Sequence, residues 1–275
     1  MRLVGPRGLA RRVRFAGWGE CPARGAAAAH LVEDSRLRRF VLALALSALA
    51  APAFASGIGL RWGSCEGASN RNFACDENNG TDVLVASFSP PGGVGALSGV
   101  AAWGHISAAQ GSVPPWWQLS SADGCRGSSL AASFLFFGET ECDDPWNGQG
   151  MGGIAYVRAD GQGMGFLVAV AVSASLVQPV AAGRTYSAFK LIINHDQSTG
   201  AGSCAGCQTP VCITLDRMIL GQPNESGYRD VELTQGMSGL SGGAANVVTW
   251  QGGTPSCGAG GPKASTWGKL KERYR

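Results

Sequence analysis

From residue 56 onward, apolar residues come in short runs, and each run is bounded by glycine, proline, asparagine or serine. Before residue 264, no stretch repeats its apolar residues at the helical spacing of about 3.6 residues. Short runs that are rich in β-branched and aromatic residues are typical of strands. The pattern predicts about ten strands, at residues 58–62, 83–88, 97–107, 130–137, 154–158, 166–177, 186–194, 211–220, 229–234 and 246–251.

Strands that follow one another without intervening helices predict an all-β fold of two packed antiparallel sheets. We therefore expect a β-sandwich of the jelly-roll type, with a closed barrel as the alternative. The pentapeptide GQGMG occurs at residues 148–152 and 161–165, each time before an apolar run. A dinucleotide-binding loop would need a helix after the glycines, so we interpret both copies as turns and bulges that join two successive strands.

A mostly apolar run of eleven residues, 40–50, precedes these strands. Arg38 and Arg39 come before it, and Ala53-Phe54-Ala55, a small–x–small cleavage site, comes after it. A transmembrane helix needs about 20 apolar residues, so the run predicts a signal peptide at residues 36–55 and no transmembrane anchor. We interpret the arginine-rich residues 1–35 as a non-native N-terminal extension, with a long n-region or a transit peptide as the alternative.

The remaining chain divides into a β-sandwich domain at residues 56–251, a Gly/Pro linker at 252–265 and a basic tail at 266–275. Trp267, Leu270 and Tyr274 have the spacing i, i+3 and i+7, which places them on one face of a short C-terminal helix. The tail is either a solvated basic end or a recognition element for a sorting or envelope partner, with these side chains as anchors.

Charge is distributed unevenly along the chain. Of the 22 lysines and arginines, 9 precede residue 56, against 3 of the 19 acids. The last thirteen residues hold five more basic residues and one acid, so residues 56–262 carry a net charge of −7. A domain with this charge has no basic surface for nucleic acid.

Eight cysteines follow the predicted cleavage site: Cys65, Cys75, Cys125, Cys142, Cys204, Cys207, Cys212 and Cys257. An even number in an exported chain predicts a disulfide framework, although the sequence alone allows about a hundred pairings. Short loops cost the least entropy to close, so we favour Cys65 with Cys75 and Cys125 with Cys142.

The motif Cys204-Ala-Gly-Cys207, followed by Cys212, has three interpretations. A thiol-redox pair would need a helix after the motif, whereas residues 211–220 are predicted to form a strand. A zinc site would need a fourth ligand, such as His195. We favour a disulfide-pinned loop in which two of the three cysteines pair locally and the third reaches Cys257 or another strand.

Ser241 lies in the string GLSGG, which matches the GxSxG pattern of serine hydrolases. His105, Asp143 or Asp144, and Ser241 follow the His, Asp, Ser order of chymotrypsin-like proteases. However, the residue before the serine is leucine, and the two aspartates lie in a polar loop. The sequence therefore favours a protein without catalytic activity over a secreted serine hydrolase at Ser241.

Asp76, Asn78 and Asp82 alternate around Gly80, as the oxygen ligands of a calcium loop do. The glycine comes one place too early for an EF-hand. A second acidic cluster consists of Glu139, Glu141, Asp143 and Asp144. Calcium is the one cofactor that the sequence indicates. Solvated turns use the same residues, so a purely structural role for these acids is the alternative.

Trp116 and Trp117 follow two prolines in the string PPWWQL. Neighbouring residues of a strand face opposite sides, so at most one of these rings is expected in the core. The other ring could stack on a sugar, which would make the domain a carbohydrate-binding module. Packing in the core or at an interface is the interpretation we prefer.

The strings PPWWQL, AFKLIINHDQSTGAGSCAGCQTPVCITL, VTWQGG and STWGKLKERYR resemble a group of uncharacterised exported β-rich proteins of environmental bacteria. The CAGC loop with its following PVC and the WGKLKERYR end are the most specific of these strings. The resemblance implies export and β architecture but no known activity. We expect a binding or structural module of the cell envelope or the medium, secreted, periplasmic or at the cell surface, with a glycan or an envelope protein as its partner.

Overall fold

The computed structural model describes residues 56–108, 112–119, 124–159, 163–223, 227, 229–237 and 245–252. All of them belong to one compact unit of the chain, Phe54–Arg275. The strands are β1 (Gly57–Trp62), β2 (Asn70–Arg71), β3 (Thr81–Ser89), β4 (Val94–Leu97), β5 (Gly99–Ala108), β6 (Leu130–Ser133), β7 (Met151–Ala159), β8 (Gly163–Ala171), β9 (Gln178–Val180), β10 (Tyr186–Asn194), β11 (Val211–Gly221), β12 (Val231–Leu233) and β13 (Val247–Trp250). Two 3₁₀ turns, η1 (Pro115–Trp117) and η2 (Ala174–Leu176), complete the described elements.

The strands form two main sheets. A four-stranded sheet has the order β1-β3-β10-β6, and a seven-stranded sheet has the order β2-β13-β11-β5-β8-β7, with β12 also paired to β11. Neighbouring strands are antiparallel except β13 and β2, which are parallel. A separate two-stranded sheet joins β4 and β9. The fold is therefore the all-β antiparallel sandwich that the sequence predicts, whereas the predicted helix at residues 266–275 lies outside the described residues.

The core lies between the two sheets and follows the two-residue period of the strands. Val100, Ala102 and Ile106 of β5 are buried at alternate positions, and Val211 and Ile213 of β11 continue the pattern. A register shift between Leu215 and Arg217 interrupts β11. One extra residue in a strand exchanges the faces of the positions that follow it. The core-facing residues of β11 are therefore odd-numbered before the shift and even-numbered after it, where Met218 and Leu220 are buried.

Two predicted strands are longer in the sequence pattern than in the structure. The run at 130–137 pairs only as far as Ser133, and the run at 166–177 ends as a strand at Ala171. Phe134 and Phe136 are nevertheless buried, so their apolar character reflects packing rather than strand pairing. The short strands β2, β4 and β9 were not predicted, because two to four residues carry too little periodicity to recognise.

The two GQGMG copies differ in structure. The first forms a turn that leads into β7, as predicted, and a Cβ atom at its Gly150 would lie 3.1 Å from Phe134, Trp146 and Val170. In the second copy, residues 163–165 are part of β8 and pair with both β5 and β7, whereas Gly161 and Gln162 lie outside the described residues. Over the described ranges, no helix is long and apolar enough to cross a membrane.

Candidate functional site

Three disulfides join loops that are far apart in sequence. Cys65 bonds to Cys142, Cys75 to Cys207 and Cys125 to Cys204, with sequence separations of 77, 132 and 79 residues. The predicted pairs Cys65–Cys75 and Cys125–Cys142 are therefore wrong. Loop-closure entropy favours short loops in an open chain, but the sandwich brings distant loops together, and that proximity decides the pairing.

The CxxC motif does not form a redox pair. Cys204 and Cys207 are both buried, and each is bonded to a cysteine of a different loop, so the prediction that two of the three cysteines pair locally is wrong. Cys212 is disulfide-bonded as well, whereas Cys257 lies outside the described residues. A zinc site is ruled out at these sulfurs because disulfide sulfurs are not thiolate ligands. The preferred disulfide-pinned loop is confirmed.

Both rings of the PPWWQL string lie in the core. Trp116 and Trp117 are 0% exposed, so the expectation that at most one would be buried is wrong. They belong to η1 rather than to a strand, and the alternation of faces does not apply in a 3₁₀ turn. The Trp116 ring stacks on Trp250 at 5.2 Å between centroids. Neither ring presents a face for a sugar, and the preferred interpretation of core packing is confirmed.

A buried arginine that the sequence analysis missed holds this aromatic cluster in place. The guanidinium of Arg126 lies 3.6 Å from the centroid of the Trp116 ring. It donates hydrogen bonds to the carbonyl oxygens of Asp196 (2.8 Å), Trp116 (2.9 Å) and Asn194. Burial lowers the pKa of Arg126 to about 10, although the charge of Asp196 opposes the shift. Arg126 is therefore charged at neutral pH and clamps η1 to residues 194–196.

The residues proposed for calcium have other partners. Asp76 is exposed, and the side chain of Asn78 exchanges two hydrogen bonds, of 3.0 and 3.1 Å, with the backbone of Thr199. Asp82 is buried against the side chains of Arg71 and His195. In the described part of the chain, no group of three or more His, Cys, Asp or Glu residues could hold a metal ion. The structure therefore does not bring the predicted ligands together.

The second acidic cluster is engaged in structural contacts. Glu139 pairs with Lys190, and Asp143 forms a two-point ion pair with Arg184 at 2.7 and 2.9 Å. Asp144 accepts hydrogen bonds from the backbone nitrogens of Trp146 and Gly148, and Glu141 accepts one from the backbone nitrogen of Glu66. Each carboxylate fixes a loop, as the structural interpretation of the sequence predicts.

The predicted catalytic acids do not contact His105. Its Nδ1 lies 2.8 Å from Oδ2 of Asp216, which β11 presents on the same face of the sheet as His105 on β5. The hypothesis that Asp143 or Asp144 is the acid partner of His105 is therefore wrong. The sequence analysis missed Asp216 because the pairing of β5 with β11 places these residues together across more than a hundred residues of chain. Ser241 lies outside the described residues.

A cleft of about 320 Å³ opens beside β1, β2 and the start of β3. Its walls include Trp62, Asn70, Arg71, Thr81, Asp82 and Val83. Nε of Arg71 lies 2.6 Å from Oδ1 of Asp82, and Nε2 of His195 lies 3.0 Å from Oδ2 of Asp82. The Asp82 side chain is 5% exposed, whereas that of Arg71 is 52% exposed. We call this site the Arg71 cleft.

Both ring nitrogens of His195 have hydrogen-bond partners. Nδ1 lies 3.1 Å from the carbonyl oxygen of Asn79, and Nε2 contacts the Asp82 carboxylate. Each oxygen of Asp82 therefore has a partner, Arg71 at Oδ1 and His195 at Oδ2. The two terminal nitrogens of Arg71 make no hydrogen bond to the described residues and remain available to a ligand.

Local structure fixes each member of the cleft. Arg71 lies on β2 in register with Trp250, and its carbonyl oxygen accepts a hydrogen bond from the backbone nitrogen of Gln251. The Phe73 ring stacks on His195 with 3.8 Å between centroids. Asp82 lies on the core-facing side of β3, where alternation places Leu84 and Phe88. A carboxylate at a core-facing position was the sequence signal that could have identified the site.

No protein family matches the chain, and no curated protein is similar to it. The function is therefore argued from the geometry of the cleft itself.

Proposed function

We propose that the protein is an exported, disulfide-stabilised binding module whose ligand is an acidic saccharide held in the Arg71 cleft. The observation that carries the proposal is the ion-paired row of Arg71, Asp82 and His195, which leaves the outer half of the arginine exposed at the cleft. The three long-range disulfides support an oxidising compartment, because such bonds persist outside the reducing cytosol.

The anionic group of the ligand follows from the geometry of Arg71. A guanidinium that is held through Nε keeps its two terminal nitrogens side by side, which matches the two oxygens of a carboxylate. Asp82 supplies that hold, and its second carboxylate oxygen is bound to His195, so neither oxygen of Asp82 is left unpaired toward an approaching anion. The site therefore favours a carboxylate over a cationic group.

The saccharide part follows from the other walls of the cleft. Asn70 and Thr81 carry side chains that can donate to and accept from hydroxyl groups, and Trp62 contributes an indole. The Trp62 Nε1 donates to the carbonyl oxygen of Thr249, which fixes the ring in the wall. A volume of about 320 Å³ lies at the small end of ligand pockets, so one or two sugar rings are the expected size.

The proposal is tested by calorimetry with a uronic acid disaccharide and its neutral counterpart. We expect the neutral sugar to bind about tenfold or more weakly, and Arg71→Gln to lose the preference for the acid, because one charge-assisted contact is removed. Arg71→Lys should keep part of the affinity, since lysine retains the charge but not the two-point geometry.

Arg184→Gln is the matched control, because Arg184 is also an exposed arginine that is ion-paired with an aspartate, and it is not part of the cleft lining. Equal binding of the acid by the Arg71→Gln variant and the unchanged protein would contradict the proposal. So would equal affinity for the acidic and neutral sugars.

A further inference from the structure

Asparagine precedes glycine at two places in the sequence, residues 79–80 and 147–148. Both asparagines are exposed, the first pair lying directly before β3 and the second in the turn before β7. Asparagine is chemically labile, most of all before glycine, which has no Cβ atom to shield its backbone nitrogen. The local sequence does not distinguish the two pairs, so any difference in their reactivity has to come from the fold.

The reaction that an Asn-Gly pair undergoes needs only water. The backbone nitrogen of the glycine attacks Cγ of the asparagine within the same chain, and a new C–N bond closes a cyclic imide. The side-chain nitrogen leaves as ammonia and takes with it the proton that the glycine nitrogen loses. Water then opens the imide to aspartate or to isoaspartate, in which the main chain runs through Cγ and the former backbone carbonyl becomes a free carboxylate. The attack requires a glycine nitrogen that is not engaged in a hydrogen bond.

The two glycine nitrogens differ in their hydrogen bonds. The backbone nitrogen of Gly148 donates to Oδ2 of Asp144 at 3.0 Å, so it is held by a carboxylate and turned away from Asn147. The backbone nitrogen of Gly80 makes no hydrogen bond to the described residues, and neither does the side chain of Asn79. The nucleophile and the electrophile of the first pair are therefore both unoccupied.

We propose that Asn79 is a site of spontaneous conversion to aspartate and isoaspartate in the folded protein, and that Asp144 protects Asn147 from the same reaction. Gly80 has a φ of +94°, in the left-handed region that favours glycine, so the position retains a residue without a Cβ atom. Its carbonyl oxygen accepts a hydrogen bond of 3.1 Å from the backbone nitrogen of His195. This contact holds the carbonyl side of Gly80 and leaves its nitrogen to react.

The conversion introduces a negative charge next to His195. The carbonyl oxygen of Asn79 lies 3.1 Å from Nδ1 of His195, and in isoaspartate this oxygen belongs to the free carboxylate. Nε2 of the same ring contacts Asp82, which lines the Arg71 cleft. The modified form should therefore bind an acidic saccharide more weakly. This consequence rests on the proposed function, whereas the modification itself does not.

Peptide mapping by mass spectrometry tests the proposal on the folded protein, with its disulfides intact, during incubation at mildly alkaline pH. We expect Asn79 to be converted about tenfold or more faster than Asn147, because the Gly148 nitrogen must first leave a hydrogen bond to a carboxylate. Enzymatic methylation of isoaspartate identifies the second product. In guanidinium chloride with a reductant, the two asparagines should react at similar rates. Equal rates in the folded protein, an unmodified Asn79, or an unchanged difference after unfolding would each overturn the proposal.

Asp144→Ala is the matched variant, because it removes the acceptor of the Gly148 nitrogen. It should raise the rate at Asn147 about tenfold and leave the rate at Asn79 unchanged. Circular dichroism checks that the variant folds, and if it does not, the comparison of the folded and unfolded unchanged protein decides alone. An unchanged rate at Asn147 in a folded variant would overturn the role of Asp144. The mapping uses no ligand, so its result is independent of what the Arg71 cleft binds.

Discussion

At the scale of single residues, several charged side chains in this protein bind backbone groups of loops. Arg126 donates to three carbonyl oxygens, and Asp144 accepts from two backbone nitrogens. Glu141 accepts from the backbone nitrogen of Glu66 at 2.9 Å, directly beside the Cys65–Cys142 disulfide. The backbone groups of a loop have no hydrogen-bond partner from a neighbouring strand. A charged side chain that forms this hydrogen bond stabilises the loop by more than a neutral side chain would.

Glu141→Gln should lower the melting temperature at pH 7 and make the protein less sensitive to acid. Hydrogen bonds from the Ser64 side chain and the Glu66 backbone lower the pKa of Glu141 below 4.5 in the folded state. A carboxyl with a lowered folded pKa contributes stability above its unfolded pKa and loses it as the pH falls through the folded value. The gap between the two proteins should therefore narrow below pH 4.5.

Calorimetric melting from pH 3 to pH 8 measures this difference. Glu77→Gln serves as the control, because the exposed Glu77 side chain makes no hydrogen bond to the described residues. A constant gap at all pH values would show that the charge of Glu141 contributes nothing.

At the scale of elements, close packing of the central strands explains where small residues stand. Gly104 lies at the centre of β5, and a Cβ atom there would lie 2.3 Å from Cζ of Phe166 and 2.6 Å from the carbonyl oxygen of Thr214. The missing side chain therefore makes room for the Phe166 ring. Gly153 on β7 has no such neighbour within 4 Å. The two glycines look alike in sequence, and only the position of their strands distinguishes them.

Gly104→Ala should destabilise the fold by about 1–3 kcal/mol, because overpacking forces Phe166 or the backbone of β11 to shift. Gly153→Ala should leave stability unchanged or raise it by about 0.5–1 kcal/mol, because glycine in a strand carries an entropic cost. Urea unfolding followed by tryptophan fluorescence measures both variants. Equal midpoints for the two would contradict the packing argument.

At the scale of the whole molecule, the disulfides bond loops that the sequence separates. Cys125–Cys204 closes a loop of 79 residues and lies next to the Arg126 clamp, so it holds η1 and residues 194–204 in place together with that clamp. The chain-entropy account predicts more stabilisation for such a long loop than for a short one. Core packing and the cross-links therefore stabilise the same part of the fold.

Replacing Cys125 and Cys204 by serine should lower the free energy of unfolding by about 4.5 kcal/mol, the value expected for a loop of this length. Unfolding in urea, with and without a reductant, measures the loss. The reductant should destabilise the unchanged protein more than the variant, because the variant has already lost one bond. An unchanged unfolding midpoint in the variant would contradict the assigned pairing.

The sequence by itself determined the class of fold and the location of the long strands, since these depend on local alternation of apolar and polar residues. Residues 186–194 coincide with β10, and residues 211–220 fall within β11. It also indicated a disulfide framework from the number of cysteines. Local patterns are enough here because strand period and turn residues act within a few positions of the chain.

The tertiary structure alone decided which distant residues meet. Cys75 bonds to Cys207, Asp82 joins Arg71 to His195, and His105 contacts Asp216, although no pair of these residues shares a local pattern. Trp116 and Trp117 are both buried because η1 is folded against the core, whereas alternation assigned one of them to the surface. Contacts of this kind depend on sheet order and strand register, which are set by the packing of the whole sandwich and not by any one segment.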